Sequence, residues 1–281
     1  LDAANAPVTI SAKAITMSGL TSSGKIYDGT TNASVSGTAS LQSPISAGTG
    51  SASDGKPYDV DSVSITGTAV GTYNDKDVSD ATTVAFSGLS LTGTGSGNYS
   101  LSNHADASHT ISVKPVTVSG LTSSDKIYDG TTNASVSGTA SLQSPISAGT
   151  GSASDGKPYD VDSVSITGTA VGTYNDKDVS DATTVAFSGL SLTGTGSGNY
   201  SLSNHADASH TISVKPVTVS GLTSSNKTYD GTTNATVGGT ASLQSAISAG
   251  TGSASDGKPY DVDSISLTGT AVGSFNDKDV S

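Results

Sequence analysis

Short stretches of alternating apolar and polar residues, separated by Gly, Asn and Asp, run along the whole chain. Val116 and Val118 alternate with Thr117 and Ser119, and Val164 and Ile166 with Ser163, Ser165 and Thr167. A period of two places every second side chain on one face, the pattern of a half-buried strand. Val185 and Phe187 are followed by Leu190 and Leu192, so the phase slips by one residue at Ser188-Gly189. That slip predicts a β-bulge or a tight corner, where Gly accepts unusual backbone angles. Tyr200 with Leu202 predicts another short strand, and Ile212 with Val214 the last one. No window keeps apolar residues at i, i+3, i+4 and i+7 over ten residues, so little or no helix is expected.

The same strands return at a fixed spacing. Lys25-Ile26-Tyr27-Asp28-Gly29 recurs at Lys126 and, with Thr228 in place of Ile, at Lys227, a period of 101 residues. Residues 15–114 and 116–215 differ only at Ile15/Val116, Met17/Val118 and Gly24/Asp125. A period of this length exceeds a solenoid turn and matches a whole domain. The domains expected are therefore 15–115 and 116–216 as complete copies. Residues 1–14 read as the C-terminal strand of a preceding copy, and 217–281 as a truncated third, with an open edge and an exposed core. The fold class expected is all-β: tandem antiparallel β-sandwich-like or β-grasp-like repeat domains arranged as an elongated rod.

Differences between copies point to the core. Val164 becomes Ile265, Ile166 becomes Leu267 and Tyr174 becomes Phe275, swaps of similar volume that a packed interior accepts. Gly24, Asp125 and Asn226 differ in charge at one equivalent place, which marks it as solvated. The junction Ser213-Val214-Lys215-Pro216-Val217 has no Gly and no polar run, and Pro216 biases Lys215 towards an extended conformation. A stiff connection is expected there.

Composition narrows the function. The 12 basic residues are all Lys, the 24 acids all Asp, and the net charge is −12, which disfavours nucleic acid and anionic membrane surfaces as partners. No stretch is apolar enough for direct membrane insertion. With no cysteine, disulfides and thiolate metal sites are excluded. Trp is absent and aromatic residues are 5% of the chain, which argues against stacked-sugar sites.

Candidate chemistry is sparse. Asp155, Asp160, Asp162, Asp176, Asp178 and Asp181 fall within 27 residues, and oxygen-rich clusters suit Ca²⁺. Asp160, Asp162, Asp176 and Asp178 form the candidate Ca²⁺ set, although their spacing matches neither an EF-hand nor a β-roll nonapeptide. Solvated turn residues are the alternative reading. No other cofactor is expected. His104/His109 and His205/His210, with Asp106 or Asp207 between, hold the atoms for a metal or a proton relay but read equally as polar turns. Ser, His and Asp are all present, yet no Gly-x-Ser-x-Gly elbow is evident, so no catalytic site is expected. Lys126 invites comparison with the Lys cross-links of some surface stalks, against a plain reading as a strand with Tyr128 packing inward and Asp129-Gly130 turning. Asn32, Asn98, Asn133, Asn199 and Asn234 head Asn-x-Ser/Thr triplets.

Several blocks taken in order carry a family resemblance. They are Lys-Ile-Tyr-Asp-Gly-Thr-Thr, Tyr174-Asn175-Asp176-Lys177-Asp178-Val179, Gly189-Leu190-Ser191-Leu192-Thr193-Gly194, Gly198-Asn199-Tyr200-Ser201-Leu202 and Ile212-Ser213-Val214-Lys215-Pro216. Together they resemble the YDG-type repeat of large secreted bacterial surface proteins, such as filamentous-haemagglutinin-like adhesins and biofilm-matrix exoproteins. The copies look longer than the usual unit, with extra sequence near Ser141–Tyr159. The resemblance implies an extracellular, β-rich stalk at the bacterial cell surface or in a secreted matrix, not an enzyme. It would project a distal binding region, with neighbouring copies as partners and host or matrix glycans or protein met by other regions. The rival expectation is a repeated low-affinity glycan- or self-binding module acting through avidity.

Overall fold

A computed structural model of the chain describes residues 9–102, 107–203 and 208–280. The first copy runs through β1 (Lys13–Thr21), β2 (Lys25–Ile26), β3 (Asn32–Ala33), β4 (Ser36–Leu41), β5 (Ser64–Tyr73), β6 (Thr83–Thr92), β7 (Tyr99–Ser102), β8 (Ala107–Ser108) and β9 (Ile111–Ser112). One sheet has the order β3-β5-β6-β8 and a second β4-β1-β7, while β2 and β9 form a two-stranded pair. The second copy repeats the series as β10 (Lys114–Thr122), β11 (Lys126–Ile127), β12 (Asn133–Ala134), β13 (Ser137–Leu142), β14 (Ser165–Tyr174), β15 (Thr184–Thr193), β16 (Tyr200–Ser203), β17 (Ala208–Ser209) and β18 (Ile212–Ser213). The third contributes β19 (Val219–Ser224), β20 (Asn234–Ala235), β21 (Val237–Leu243) and β22 (Gly273–Ser274). Helix among the described residues is confined to single 3₁₀ turns at Ser96–Asn98 and Ser197–Asn199, each entered through a Gly with positive φ.

The protein is thus all-β and built of tandem repeats, as its alternation predicts. The sheets are mixed, however, instead of wholly antiparallel. β1 lies antiparallel to β4 but parallel to β7, Lys13 facing Tyr99 and Thr16 facing Ser102. β2 runs parallel to β9, β10 to β16, and β11 to β18. Parallel neighbours need a long crossover, here most of a copy, and alternation within a strand carries no information about such a distant partner.

The predicted slip is real, and its extra residue sits on the partner strand. Gly67 faces Leu89 and Val70 faces Ser87, so Thr68 and Ala69 together oppose Gly88. Gly88 has φ +79°, and a Cβ there would lie 2.3 Å from the Thr68 carbonyl oxygen. Val84 and Phe86 before it are fully buried. Val214, expected to face inward, is exposed. It is the single residue between β18 and the Lys215-Pro216 pair, a place where the alternation ends.

The chain forms two compact units whose borders differ from the 101-residue period. The first comprises Leu1–Val118, Ser141–Thr167 and Ser191–Ser203; the second comprises Ser119–Ala140, Gly168–Leu190 and Asn204–Ser281. In the first, one hydrophobic core joins Met17, Leu20, Tyr27, Tyr73, Val84 and Phe86 to Ile111, Val116, Tyr159 and Tyr200. Residues of two successive copies therefore exclude water together. In the second, Leu121, Tyr174, Val185, Phe187, Ile212 and Tyr260 are buried. Val219 and Leu222 are exposed there, although their counterparts Val118 and Leu121 are buried. Among the described residues β19 pairs with β21 alone, whereas β1 and β10 each also carry a parallel strand.

The Tyr-to-Phe exchange between copies also has a structural meaning. Tyr73 donates its hydroxyl to the Ser23 carbonyl at 3.0 Å, and Tyr174 donates to that of Ser124 at 2.9 Å. Phe275 fills the corresponding place without a donor. Tyr174→Phe is expected to cost about 1 kcal/mol, the net value of one such bond, in a urea unfolding titration. A loss near 3 kcal/mol would show that the hydroxyl is structurally indispensable.

Candidate functional site

The Lys-x-Tyr-Asp-Gly block folds into a rigid turn before it meets anything else. β2 fixes the start, and the Tyr27 N–H donates to the Ser112 carbonyl at 2.8 Å. The Lys25 ammonium folds back onto Asp28 Oδ1 (2.6 Å) and onto the carbonyls of Thr30 and Asn32 (both 2.8 Å). Asp28 Oδ1 also accepts the Thr30 N–H at 2.9 Å, closing an Asx-type turn, and Gly29 takes φ +77°. Lys126 makes the same clamp on Asp129 (2.7 Å) and the carbonyls of Thr131 (2.7 Å) and Asn133 (2.9 Å). This accounts for the lysine that invites comparison with cross-linked stalks. In the third copy Lys227 clamps Asp230 at 2.8 Å. That ammonium and the Thr232 N–H hold the Asp230 carboxyl at about 2, well below the usual range.

The turn is a tongue, and in the first compact unit it enters a socket on the following copy. Tyr27 is 0% exposed. Its ring stands edge-on to Tyr159 (5.9 Å, 66°) and to Tyr200 (5.4 Å, 81°), geometries that aromatic quadrupoles favour. Its hydroxyl donates to Asp162 Oδ2 at 2.7 Å, and Tyr200 donates to the same oxygen at 2.7 Å. The Lys76 ammonium lies 3.3 Å from Asp162 Oδ1. Burial pushes the Tyr27 and Tyr200 phenols up, and the adjacent Asp162 carboxylate pushes them further. Both therefore stay neutral donors.

Backbone and shape complete the lock. The Gly149 N–H donates to the Asp28 carbonyl at 2.8 Å. Gly29 lies so close to the socket wall that a Cβ would stand 2.8 Å from Ala148 Cβ and 3.3 Å from Val161 Cγ2. Buried Asn199 donates to Asp77 Oδ1 at 2.7 Å and accepts the Val78 N–H at 2.8 Å. The second unit repeats the arrangement. Tyr128 donates to the Asp263 carboxylate (2.7 Å to Oδ2) beside the Tyr260 ring, Lys177 lies 3.3 Å from Asp263, and the Gly250 N–H meets the Asp129 carbonyl at 2.7 Å.

A second fastening sits at the junction. Only Val113 separates β9 from β10, and β10 at once pairs with β16, Lys114 facing Tyr200. Lys114 is 0% exposed, with its ammonium 2.8 Å from Asp155 Oδ1 and 4.1 Å from the centre of the Tyr159 ring. A buried cation is tolerated only with such partners. Lys13 with Asp54 and Tyr58, and Lys215 with Asp256 and Tyr260, repeat the triad. Lys13 and backbone N–H groups hold Asp54 at about 2, and Lys215 does the same for Asp256. A carboxyl depressed in the folded state contributes stability above its unfolded value and loses it as pH falls through the folded one. The thermal midpoint is therefore expected to be flat from pH 8 to 5 and to fall between about pH 4 and 2. A midpoint unchanged down to pH 2 would contradict the triads.

The candidate Ca²⁺ ligands fall in two units. Asp160 and Asp162 belong to the first, Asp176 and Asp178 to the second. Asp160 accepts the Ser147 hydroxyl at 3.1 Å, and Asp162 is the acceptor of the lock. Asp176 accepts the Asp178 N–H at 2.9 Å, and Asp178 pairs with Lys177 at 2.6 Å. Among the described residues no three His or Asp side chains gather as a metal site would require. His210 Nδ1 lies 3.3 Å from Asp125 Oδ1, and Asp125 is held below its usual value by the Thr211 N–H first and His210 second. His109 donates its backbone N–H to Thr82 at 3.1 Å. His104, His205, Asp106 and Asp207 lie outside the described residues. Of the Asn-x-Ser/Thr triplets, Asn199 is buried in the lock, whereas Asn32, Asn98, Asn133 and Asn234 are exposed.

Lys76, Lys114 and Ala148 carry no signal in the sequence, and Asn199 stands out there only as the head of an Asn-x-Ser/Thr triplet and within a family block. The first two copies differ at only three places, so a functional residue cannot stand out by being kept. The useful signal was the extra segment near Ser141–Tyr159, which contributes Ala148, Gly149 and Tyr159 to the socket.

The profile of the family described as YDG domain matches residues 11–108 and 112–209. The Tyr-Asp-Gly of that description stands here as Tyr27-Asp28-Gly29 and Tyr128-Asp129-Gly130. No curated protein and no solved structure matches the chain. No helix among the described residues is long and apolar enough to cross a membrane.

Proposed function

The chain belongs to the YDG domain family, and from that premise we propose that its copies are the structural spacer of a bacterial cell-surface or biofilm-matrix adhesin. Their work is mechanical and not catalytic: they hold a distal binding region away from the cell. The observation that carries this reading is the lock. Tyr27 of one copy is buried in the next on Asp162, and the two copies are joined through a single intervening residue, Val113. A flexible tether needs slack and few contacts, and this junction has neither. The partners of each copy are its neighbours in the same chain, and contact with host or matrix glycans or protein belongs to other regions. An extracellular location fits a chain without cysteine whose surface is acidic.

Small-angle scattering on arrays of two, three, four and six copies tests the reading. A spacer of this kind gains a constant increment of maximum dimension per added copy. Growth with the square root of copy number, as for a flexible string of domains, would overturn it.

A further inference from the structure

Six steps in the sequence place Gly directly after Asp, at Asp28, Asp54, Asp129, Asp155, Asp230 and Asp256. At every one of them a lysine is fastened to the carboxylate. Lys25, Lys126 and Lys227 lie between 2.6 and 2.8 Å from theirs within the tongue. Lys13, Lys114 and Lys215 lie between 2.8 and 2.9 Å from the other three. Six of the 12 lysines are thus committed to the six Asp-Gly steps. In all six the same Oδ1 also accepts the N–H two residues further on, at 2.9 Å. The glycines are fixed by the fold. Their φ lies between +73° and +79°, where an L side chain is strained. A Cβ on Gly29 would stand 2.8 Å from Ala148 Cβ, and one on Gly55 would stand 2.5 Å from Thr16 Oγ1.

Asp-Gly is a step at which a polypeptide rearranges unaided, because glycine leaves its amide nitrogen free to reach the preceding side chain. The Gly nitrogen attacks Cγ of the neutral Asp acid, the Cγ–OH bond breaks, and water leaves with the amide proton. The product is a five-membered succinimide. Water then opens the ring at either carbonyl, which restores aspartate or routes the main chain through Cγ as isoaspartate. We propose that the six Asp-Gly steps are latent sites of this modification and that the six lysines hold it off. A carboxylate facing an ammonium stays ionised and is a poor electrophile. Turning Cγ towards the Gly nitrogen also means breaking the lysine and N–H bonds. Lys13 and Lys215, ahead of backbone N–H groups, hold Asp54 and Asp256 at about 2. Each unit of lowering cuts the neutral acid about tenfold. Against the pull of burial, Lys126 and the Thr131 N–H keep Asp129 below its usual value. The rearrangement strikes where the fold is held: the Asp28 carbonyl accepts the Gly149 N–H at 2.8 Å, and the Gly55 carbonyl accepts the Thr16 N–H at 2.9 Å. An extra methylene in the main chain there displaces both. The inference stands apart from the spacer reading and concerns how long the fold lasts.

Ageing of the 281-residue chain in neutral buffer, with isoaspartate read site by site by peptide mapping, tests it. Peptides that retain Gly24, Asp125 or Asn226 keep the three tongues apart. Lys126→Met removes the ammonium and keeps the length of the side chain. It is expected to speed isoaspartate formation at Asp129-Gly130 about tenfold, the effect on the neutral acid of losing one adjacent opposite charge. Asp28-Gly29 and Asp230-Gly231 in the same molecule keep their lysines and are expected to hold the parent rate. Lys227→Met is expected to move the effect to Asp230-Gly231 alone. Unchanged ageing at the step that lost its lysine overturns the proposal. So does a rise shared by all three tongues, which would assign the protection to the fold as a whole. A parent chain whose Asp-Gly steps age as fast as those of a short peptide of the same sequence overturns it as well.

Discussion

Asp162→Ala is expected to lower the unfolding free energy by about 3–5 kcal/mol, the cost of removing one partner from a buried charged network. Its side chain is 2% exposed and receives two phenol hydrogen bonds and the Lys76 ammonium. Alanine leaves both phenols without that acceptor in a buried place, while Lys76 keeps Asp77 as its partner. Asp61→Ala supplies the control. It makes the same chemical change at the same place in the first copy, where, among the described residues, Asp61 accepts the Tyr99 hydroxyl at 2.6 Å. That change is expected to cost about 2 kcal/mol, one charge-assisted bond. Urea unfolding followed by tyrosine fluorescence reads both, since the chain has ten Tyr and no Trp. Equal losses at the two positions would show that Asp162 acts only inside its own copy, and the lock would then contribute nothing.

A lock of this kind changes what the repeat unit is. The first compact unit takes in residues from both sides of the border near residue 115, so the stabilising interface and the sequence period are offset from one another. Stability in such an array is a sum of intrinsic terms and nearest-neighbour terms, and a large neighbour term makes long runs cooperative. For a spacer this matters directly. A junction that opens at low cost would be the place where a pulled chain lengthens first, and here the junction contains a buried ion pair, an aromatic cluster and a backbone hydrogen bond.

Much of this architecture was written in the alternation. Val185 and Phe187 are buried as their phase requires, and the slip beside Gly189 has its physical counterpart in the paired residues opposite Gly88. Tyr128 was rightly read as packing inward, but the face it packs on belongs to the following copy. Two kinds of fact stayed hidden. The parallel pairing of β1 with β7 depends on residues 86 apart at Lys13 and Tyr99, which no local pattern encodes. The role of Asp162 was hidden for another reason. A carboxylate in an Asp-rich loop looks the same whether it meets water, a cation or a phenol, and only the approach of Tyr27 decides between them. Lys215 is a further case: no local pattern encodes its pairing with Asp256 across 41 residues.

Gly29→Ala and Gly231→Ala should separate backbone strain from docking. Both glycines close the same turn with nearly the same φ, +77° and +79°. An L-residue in that region costs about 1–2 kcal/mol, and the two substitutions share this loss. Only Gly29 has a neighbour in the way: its new Cβ would stand 2.8 Å from Ala148 Cβ, against nothing within 4 Å at Gly231. Relieving that contact means retracting the tongue, which lengthens the Gly149 to Asp28 hydrogen bond and draws Tyr27 away from Asp162. Overpacking of this kind adds about 1–3 kcal/mol. Gly29→Ala is thus expected to destabilise by about 2–5 kcal/mol and Gly231→Ala by about 1–2 kcal/mol. Gly130→Ala should fall with Gly29→Ala, because Ala249 Cβ lies 2.9 Å from where its Cβ would be. The ranking is the test. Three equal losses would mean that Gly is required by the turn alone, whereas a gap confined to the two covered glycines would identify the last residue of the Tyr-Asp-Gly block as the one that admits the next copy.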